Sequence, residues 1–134
     1  IKNAVEYIYR LIKKRSIIFV ISDFLDTNYL DSLKILAKKH DVIALRIQDS
    51  AESKMPNAGL LNLQDPETGK TFTINSSNPK LREKYNKAVI QQEADITQQF
   101  RKMKIDLVTL NTDKPYAPEL MKFFKFRIRM KNQR

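Results

Sequence analysis

The stretch Ser16-Ile17-Ile18-Phe19-Val20-Ile21-Ser22-Asp23-Phe24-Leu25-Asp26 decides the fold. It is an unbroken β-branched and aromatic run that ends abruptly in a hydroxyl and a carboxylate. It is far shorter than the roughly 20 apolar residues that cross a bilayer. An apolar run without polar alternation reads as a strand buried on both faces, as in a parallel sheet covered by helices. Ligands of open parallel sheets bind just beyond the carboxyl ends of the strands. Ser22 and Asp23 are therefore expected at the working edge.

Outward from this strand, residues 1–14 read as an amphipathic helix with Val5, Ile8 and Ile12 on one stripe, closed by Lys13, Lys14 and Arg15. On the other side, Thr27 or Asn28 is placed to cap a helix whose inner face is Leu30, Leu33, Ile35 or Leu36, and Ala37. His40 follows Lys38 and Lys39 at its end, where basic groups complement the helix dipole. Asp41 leads into a second apolar strand, Val42 to Ile47, ending at Gln48-Asp49. That spacing is one right-handed crossover unit.

Leu60–Gln64 and Thr71–Asn75 then alternate around Asp65-Pro66-Glu67-Thr68-Gly69-Lys70. Pro66 suits the second position of a type I turn and Gly69 a left-handed one, so a β-hairpin is inserted over about residues 58–76. Asn78-Pro79 opens a long helix carrying Leu81, Tyr85, Ala88, Val89, Ile96, Phe100 and Met103 at helical spacing. Ile105 to Leu110 is a third strand, followed by Asn111-Thr112-Asp113. Pro115 starts a closing helix with Leu120, Phe123, Phe124 and Ile128 inward; residues 124–130 also alternate as a strand would, but helix is the favoured reading. The expected fold class is α/β, a Rossmann-like three-layer parallel sheet in one domain over residues 1–134.

Composition narrows the function classes. The chain has 134 residues, 42% of them hydrophobic, so it carries a real core. It has no cysteine, which removes disulfides and thiolate metal sites and fits a reducing, cytoplasmic setting. The two glycines, Gly59 and Gly69, cannot form a glycine-rich phosphate loop. One histidine leaves no multi-histidine metal site or conventional triad.

Two features point to chemistry. Asp23, Asp49 and Asp113 each follow a strand, and carboxylates converging at one sheet edge hold Mg²⁺ in many phosphoryl-transfer folds. Against this, an aspartate after a strand also caps the next helix. The second feature is the net charge of +10. Lys122, Lys125, Arg127, Arg129, Lys131 and Arg134 crowd the last thirteen residues without an acid, a candidate surface for phosphates, anionic lipid or an acidic protein. The plainer alternative is a solvated helix end. No nucleic-acid-binding motif accompanies it.

Four stretches together resemble a known family. They are Ser22-Asp23-Phe24-Leu25-Asp26; Lys39 to Arg46 followed by Asp49 and Glu52; Leu63 to Gly69; and Ile105-Asp106-Leu107 leading to Thr112-Asp113. In this order they resemble the C-terminal half of bacterial proteins of domain of unknown function 58, whose domain is similar to a von Willebrand factor A domain. The resemblance implies a non-enzymatic interaction module, often beside AAA+ ATPases of the MoxR type. It implies a Mg²⁺ at the strand-end edge, with Ser22 and Asp23 as metal residues and Asp23, Phe24 and Asp26 as partner-binding residues. The Asp-x-Ser-x-Ser of that metal motif is absent from this sequence, and the strand carrying it is expected upstream of Ile1. The partner's carboxylate is expected to complete the cation's shell. Strand 17–22 is then expected to show an unpaired edge, to self-associate or swap a segment through it, or to cover it with the first helix. The competing readings are a Mg²⁺-dependent phosphoryl-transfer enzyme using Asp23, Asp49 and Asp113, and a basic nucleic-acid or membrane-surface binder using the tail.

Overall fold

A computed structural model of the chain describes residues 1–26, 28–65 and 68–132, the last two by their backbone alone. The chain divides into two compact units, one of residues 1–49 with 96–134 and one of residues 50–95. The second unit is wider than the hairpin expected over 58–76.

The first unit holds α1 (Lys2–Leu11), β1 (Ile17–Ser22), α2 (Leu30–Lys39), β2 (Asp41–Gln48), the last turns of α3 (Pro79–Lys102), β5 (Asp106–Asn111) and α4 (Tyr116–Asn132). The three strands form an all-parallel sheet in the order β1-β2-β5. This makes β2 the central strand, and its Ile43 and Ala44 are fully buried. On one face, Val5, Ile18, Leu33, Leu36, Val42, Ala44, Ile96 and Phe100 pack into one core. On the other, Ile43, Leu45, Val108 and Leu110 pack with Leu120 and Phe123 of α4. The architecture is α/β with helices on both sides of a parallel sheet.

Strand β1 corrects the opening reading. Ile18 is buried, but Ile17, Phe19 and Ile21 are 59%, 46% and 64% exposed. The strand is sealed on one face: α4 packs on β5 and β2, and it meets β1 in an edge-on ring pair, Phe124 on Phe19 with centroids 6.3 Å apart. Phe124 and Ile128 were expected inward; they are 39% and 59% exposed. The inward positions of α4 are Leu120 and Phe123. Helix α1 packs on α2, where Lys39 Nζ donates to the Ile12 carbonyl at 2.7 Å and lies over the Tyr9 ring.

Two other local expectations change. Helix α2 starts at Leu30 with Tyr29 at its N-cap and no side-chain cap; the Asn28 N–H instead turns to Asp26 Oδ1 at 3.0 Å, and Thr27 lies outside the described residues. Helix α4 takes the helical alternative over residues that also alternate, and Arg127 fixes its far end. Its guanidinium reaches Asp41 at 2.7 and 2.9 Å and Asp106 at 3.1 Å, tying the amino ends of β2 and β5 together.

The second unit contains a short 3₁₀ turn (Ser50–Glu52), the antiparallel hairpin of β3 (Leu60–Gln64) and β4 (Thr71–Asn75), and the first turns of α3. Gly69 has φ +69°, the left-handed position expected of it; Pro66 lies outside the described residues. Fully buried Ser76 anchors the hairpin base, its hydroxyl donating to the Gly59 carbonyl at 2.7 Å. Arg82 binds the Ser76 carbonyl from α3.

Candidate functional site

Beyond the carboxyl end of β1 the chain is held by short-range hydrogen bonds. The Phe24 N–H donates to Ser22 Oγ at 3.2 Å, and Asp23 Oδ1 accepts from the Ser22 hydroxyl at 3.2 Å and the Leu25 N–H at 3.3 Å. These short-range bonds satisfy backbone groups freed where the strand stops. Phe24 has φ +58°, a left-handed backbone that costs a non-glycine residue about 1–2 kcal/mol. Burial offsets that strain: Phe24 is 2% exposed and sits edge-on against Phe100 at 5.0 Å and tilted on Tyr29 at 5.6 Å.

That placement removes Phe24 from the expected partner-binding set. The strained backbone drives its ring into the core, and the adjacent Leu25 takes the outward position, 62% exposed. The displayed sequence is thus Asp23, Leu25 and Asp26, two carboxylates around an apolar side chain. The in-and-out alternation of β1 carries on through the turn, with Ser22 half-buried, Asp23 exposed, Phe24 buried and Leu25 exposed.

Beneath the turn lies polar structure that sequence reasoning passed over. Arg46 and Gln48, on the carboxyl half of β2, are buried, and Arg46 stands in register with Ser22 of β1 and Thr109 of β5. An arginine interrupting the run Val42–Ile47 was the available signal. Tyr29 is buried with its hydroxyl 3.4 Å from the Phe24 carbonyl. Burial first, then the charges of Asp26 and Asp23, push its phenol up to about 12, while Arg46 pulls the other way. The turn therefore combines two exposed carboxylates with a neutral buried phenol and a buried cation.

The residues present do not by themselves fit a hard cation. Mg²⁺ takes near-octahedral oxygen coordination, yet among the described residues no three of His, Asp and Glu sit where they could share an ion. Asp23, Asp49 and Asp113 form no such group among the described residues. The basic helix is also reduced. Arg127 is spent on Asp41 and Asp106, and Lys122 pairs with Glu119 at 2.8 Å. Lys125 and Arg129 remain exposed, and the Lys131 side chain lies outside the described residues. His40 is a structural group: 3% exposed, it accepts the Ser16 N–H on Nδ1 at 3.3 Å. Burial, then Lys39, lowers its pKa.

Comparison with known proteins gives the following. The model of a family described as protein of unknown function DUF58 matches residues 1–95. The chain is similar to an uncharacterised protein of Mycobacterium avium, 32% identical over 130 residues, covering 95% of this chain and 75% of that protein. It is also similar to uncharacterised proteins of Mycobacterium bovis and Mycobacterium tuberculosis, each 30% identical over 129 residues, 94% of this chain and 40% of theirs. The chain thus spans less than half the length of those two relatives. No solved structure matches it significantly. Among the described residues, no helix is long and apolar enough to cross a membrane.

Proposed function

The chain belongs to the family of proteins of unknown function DUF58, and on that premise we propose that it is a non-enzymatic protein-interaction module of von Willebrand A-like type. Its working surface is the turn after β1, where Asp23, Leu25 and Asp26 face solvent. One observation carries the reading: Phe24 keeps a left-handed backbone at φ +58° and a buried ring, while Asp23, Leu25 and Asp26 around it are exposed. Strain retained at a ligand-binding turn is a mark of preorganised recognition. The surface suits a partner offering basic groups around an apolar socket, and a MoxR-type AAA+ ATPase is the partner we propose. Ser22 and Asp23 would contribute to a Mg²⁺ shell only together with oxygen ligands from outside this chain.

Titration calorimetry of the chain with a purified MoxR-type ATPase tests this, with and without Mg²⁺. Saturable binding that falls at least about tenfold in Asp23→Ala and Leu25→Ala supports the reading, since a hot-spot truncation costs more than about 1 kcal/mol. Absence of binding, or binding that ignores both substitutions, overturns it.

A further inference from the structure

Residue 24 is where the backbone of the displayed turn changes direction, and one side chain holds it at two points. Tyr29 stands at the N-cap of α2 and is 2% exposed. Its ring lies tilted on the Phe24 ring with centroids 5.6 Å apart, and its hydroxyl donates to the Phe24 carbonyl at 3.4 Å. Phe100 of α3 meets the same ring edge-on at 5.0 Å. The ring contacts fix the Phe24 side chain. The hydroxyl bond fixes the peptide that follows it, and that peptide carries the chain on to Leu25 and Asp26.

At φ +58° Phe24 occupies a backbone that a phenylalanine adopts only when its surroundings impose it. Its buried carbonyl also needs a donor. Rotation at residue 24 swings the positions after it and leaves Asp23, before it, where the strand puts it. Tyr29 is a dependable donor, because burial and then the charges of Asp26 and Asp23 keep its phenol protonated well above neutral pH. We infer that Tyr29 is the positioning residue of the displayed turn: through its hydroxyl it keeps residue 24 in the left-handed backbone from which Leu25 and Asp26 leave the core. The inference rests on the interaction reading above and deepens it. At 3.4 Å the bond is long, so its worth lies in where it acts more than in its strength. A turn already held in its bound form spares a partner the cost of ordering it. For one side chain that cost corresponds to about a three- to tenfold change in affinity.

Tyr29→Phe removes one oxygen and keeps the ring, so the packing on Phe24 survives. Two readouts separate this inference from the reading beneath it. The first needs no partner: the nuclear Overhauser effect between the amide and α protons of residue 24, which is strongest at positive φ because the two protons then lie closest. In Tyr29→Phe it is expected to weaken, with the Leu25 and Asp26 amide signals shifted and those of β2 in place. The second is calorimetry with the MoxR-type ATPase, where Tyr29→Phe is expected to weaken binding about three- to tenfold. Tyr116→Phe, on a 65% exposed tyrosine of α4, is expected to change neither. Urea unfolding is expected to show a far smaller loss for Tyr29→Phe than for Phe24→Ala, which separates positioning from bulk stabilisation. A weakened signature at residue 24 in a chain that binds no ATPase upholds the hold of Tyr29 on the turn and overturns the partner reading instead. An unchanged signature in Tyr29→Phe, or an altered one with affinity unmoved, overturns the inference.

Discussion

Phe24 gives the sharpest test of how the turn after β1 is held. Its ring is 2% exposed and packs on Tyr29 and Phe100, so Phe24→Ala forfeits a full aromatic burial plus two ring contacts. Truncations of that kind cost about 3–5 kcal/mol. The backbone adds a second, opposite prediction. At φ +58° alanine keeps the left-handed penalty of about 1–2 kcal/mol, whereas glycine escapes it. Phe24→Gly is therefore expected to be about 1 kcal/mol more stable than Phe24→Ala, inverting the usual order of the two residues. Urea unfolding read through the amide signals of β2 isolates the first unit from the hairpin unit. A loss under about 1.5 kcal/mol in Phe24→Ala would mean that the ring is not the anchor. Glycine proving worse than alanine would show that the left-handed turn is not what the chain adopts.

Further predictions concern charge and the limits of the folding unit. His40 is buried neutral, and its folded pKa lies below its ordinary value, so the unfolded chain binds the extra proton first; stability is expected to be full above about pH 6.5 and to fall as pH drops below it. Proton NMR of this single imidazole should report the lowered pKa, and an ordinary one would refute the assignment. Tyr29 acts at the other end: with its phenol pushed up to about 12, stability is expected to hold below the ordinary tyrosine range and to decline as pH climbs through it, an alkaline loss that Tyr29→Phe reduces. Arg127→Ala leaves Asp41 and Asp106 facing each other without their shared cation and is expected to cost about 2 kcal/mol in thermal or urea melts. Arg127→Lys should recover less than half, because an ammonium cannot fork between two carboxylates. A chain cut to residues 1–95 loses buried Ile96, Phe100, Ile105, Val108 and Leu110, on the order of 10 kcal/mol of burial, and is expected to show no cooperative melt.

Much of this was readable from residue order, and the failures have physical causes. The apolar run Val42–Ile47 lies where a run buried on both faces should, in the central strand. Ile17–Ser22 has the same composition but lies at the sheet edge, because composition records which neighbours a strand tolerates and not which it has. The two hairpin strands were legible because period-two alternation and a left-handed glycine constrain them locally. Phe24 was misplaced because an expectation of burial on both faces hides the alternation that sets residue 24 on the same side of β1 as Ile18. Asp23, Asp49 and Asp113 were grouped by their positions after strands, yet whether such carboxylates meet is a tertiary property, and among the described residues they form no metal-holding group. Arg127 looked like one more tail cation. Its partners, Asp41 and Asp106, are distant in sequence, and only the return of α4 across the sheet brings them together.

The central strand explains why the folding unit outruns the family match at residue 95. Residues 1–95 give β2 one neighbour, β1, and only part of the core on the face that carries Val42 and Ala44, which Ile96, Phe100 and Ile105 complete. Residues 96–134 supply its other neighbour, β5, and the helix that seals Ile43 and Leu45. The M. avium relative aligns over 130 residues, so this closing segment travels with the rest. What closes around β2 stops short of β1: α4 touches it through Phe124 alone among the ring pairs, and the side chains of Ile17, Phe19 and Ile21 stay wet beside exposed Ile128. Among the described residues, that leaves an apolar surface beside the outer strand of the sheet. That surface meets the displayed turn at Asp23, which follows the strand and begins the turn.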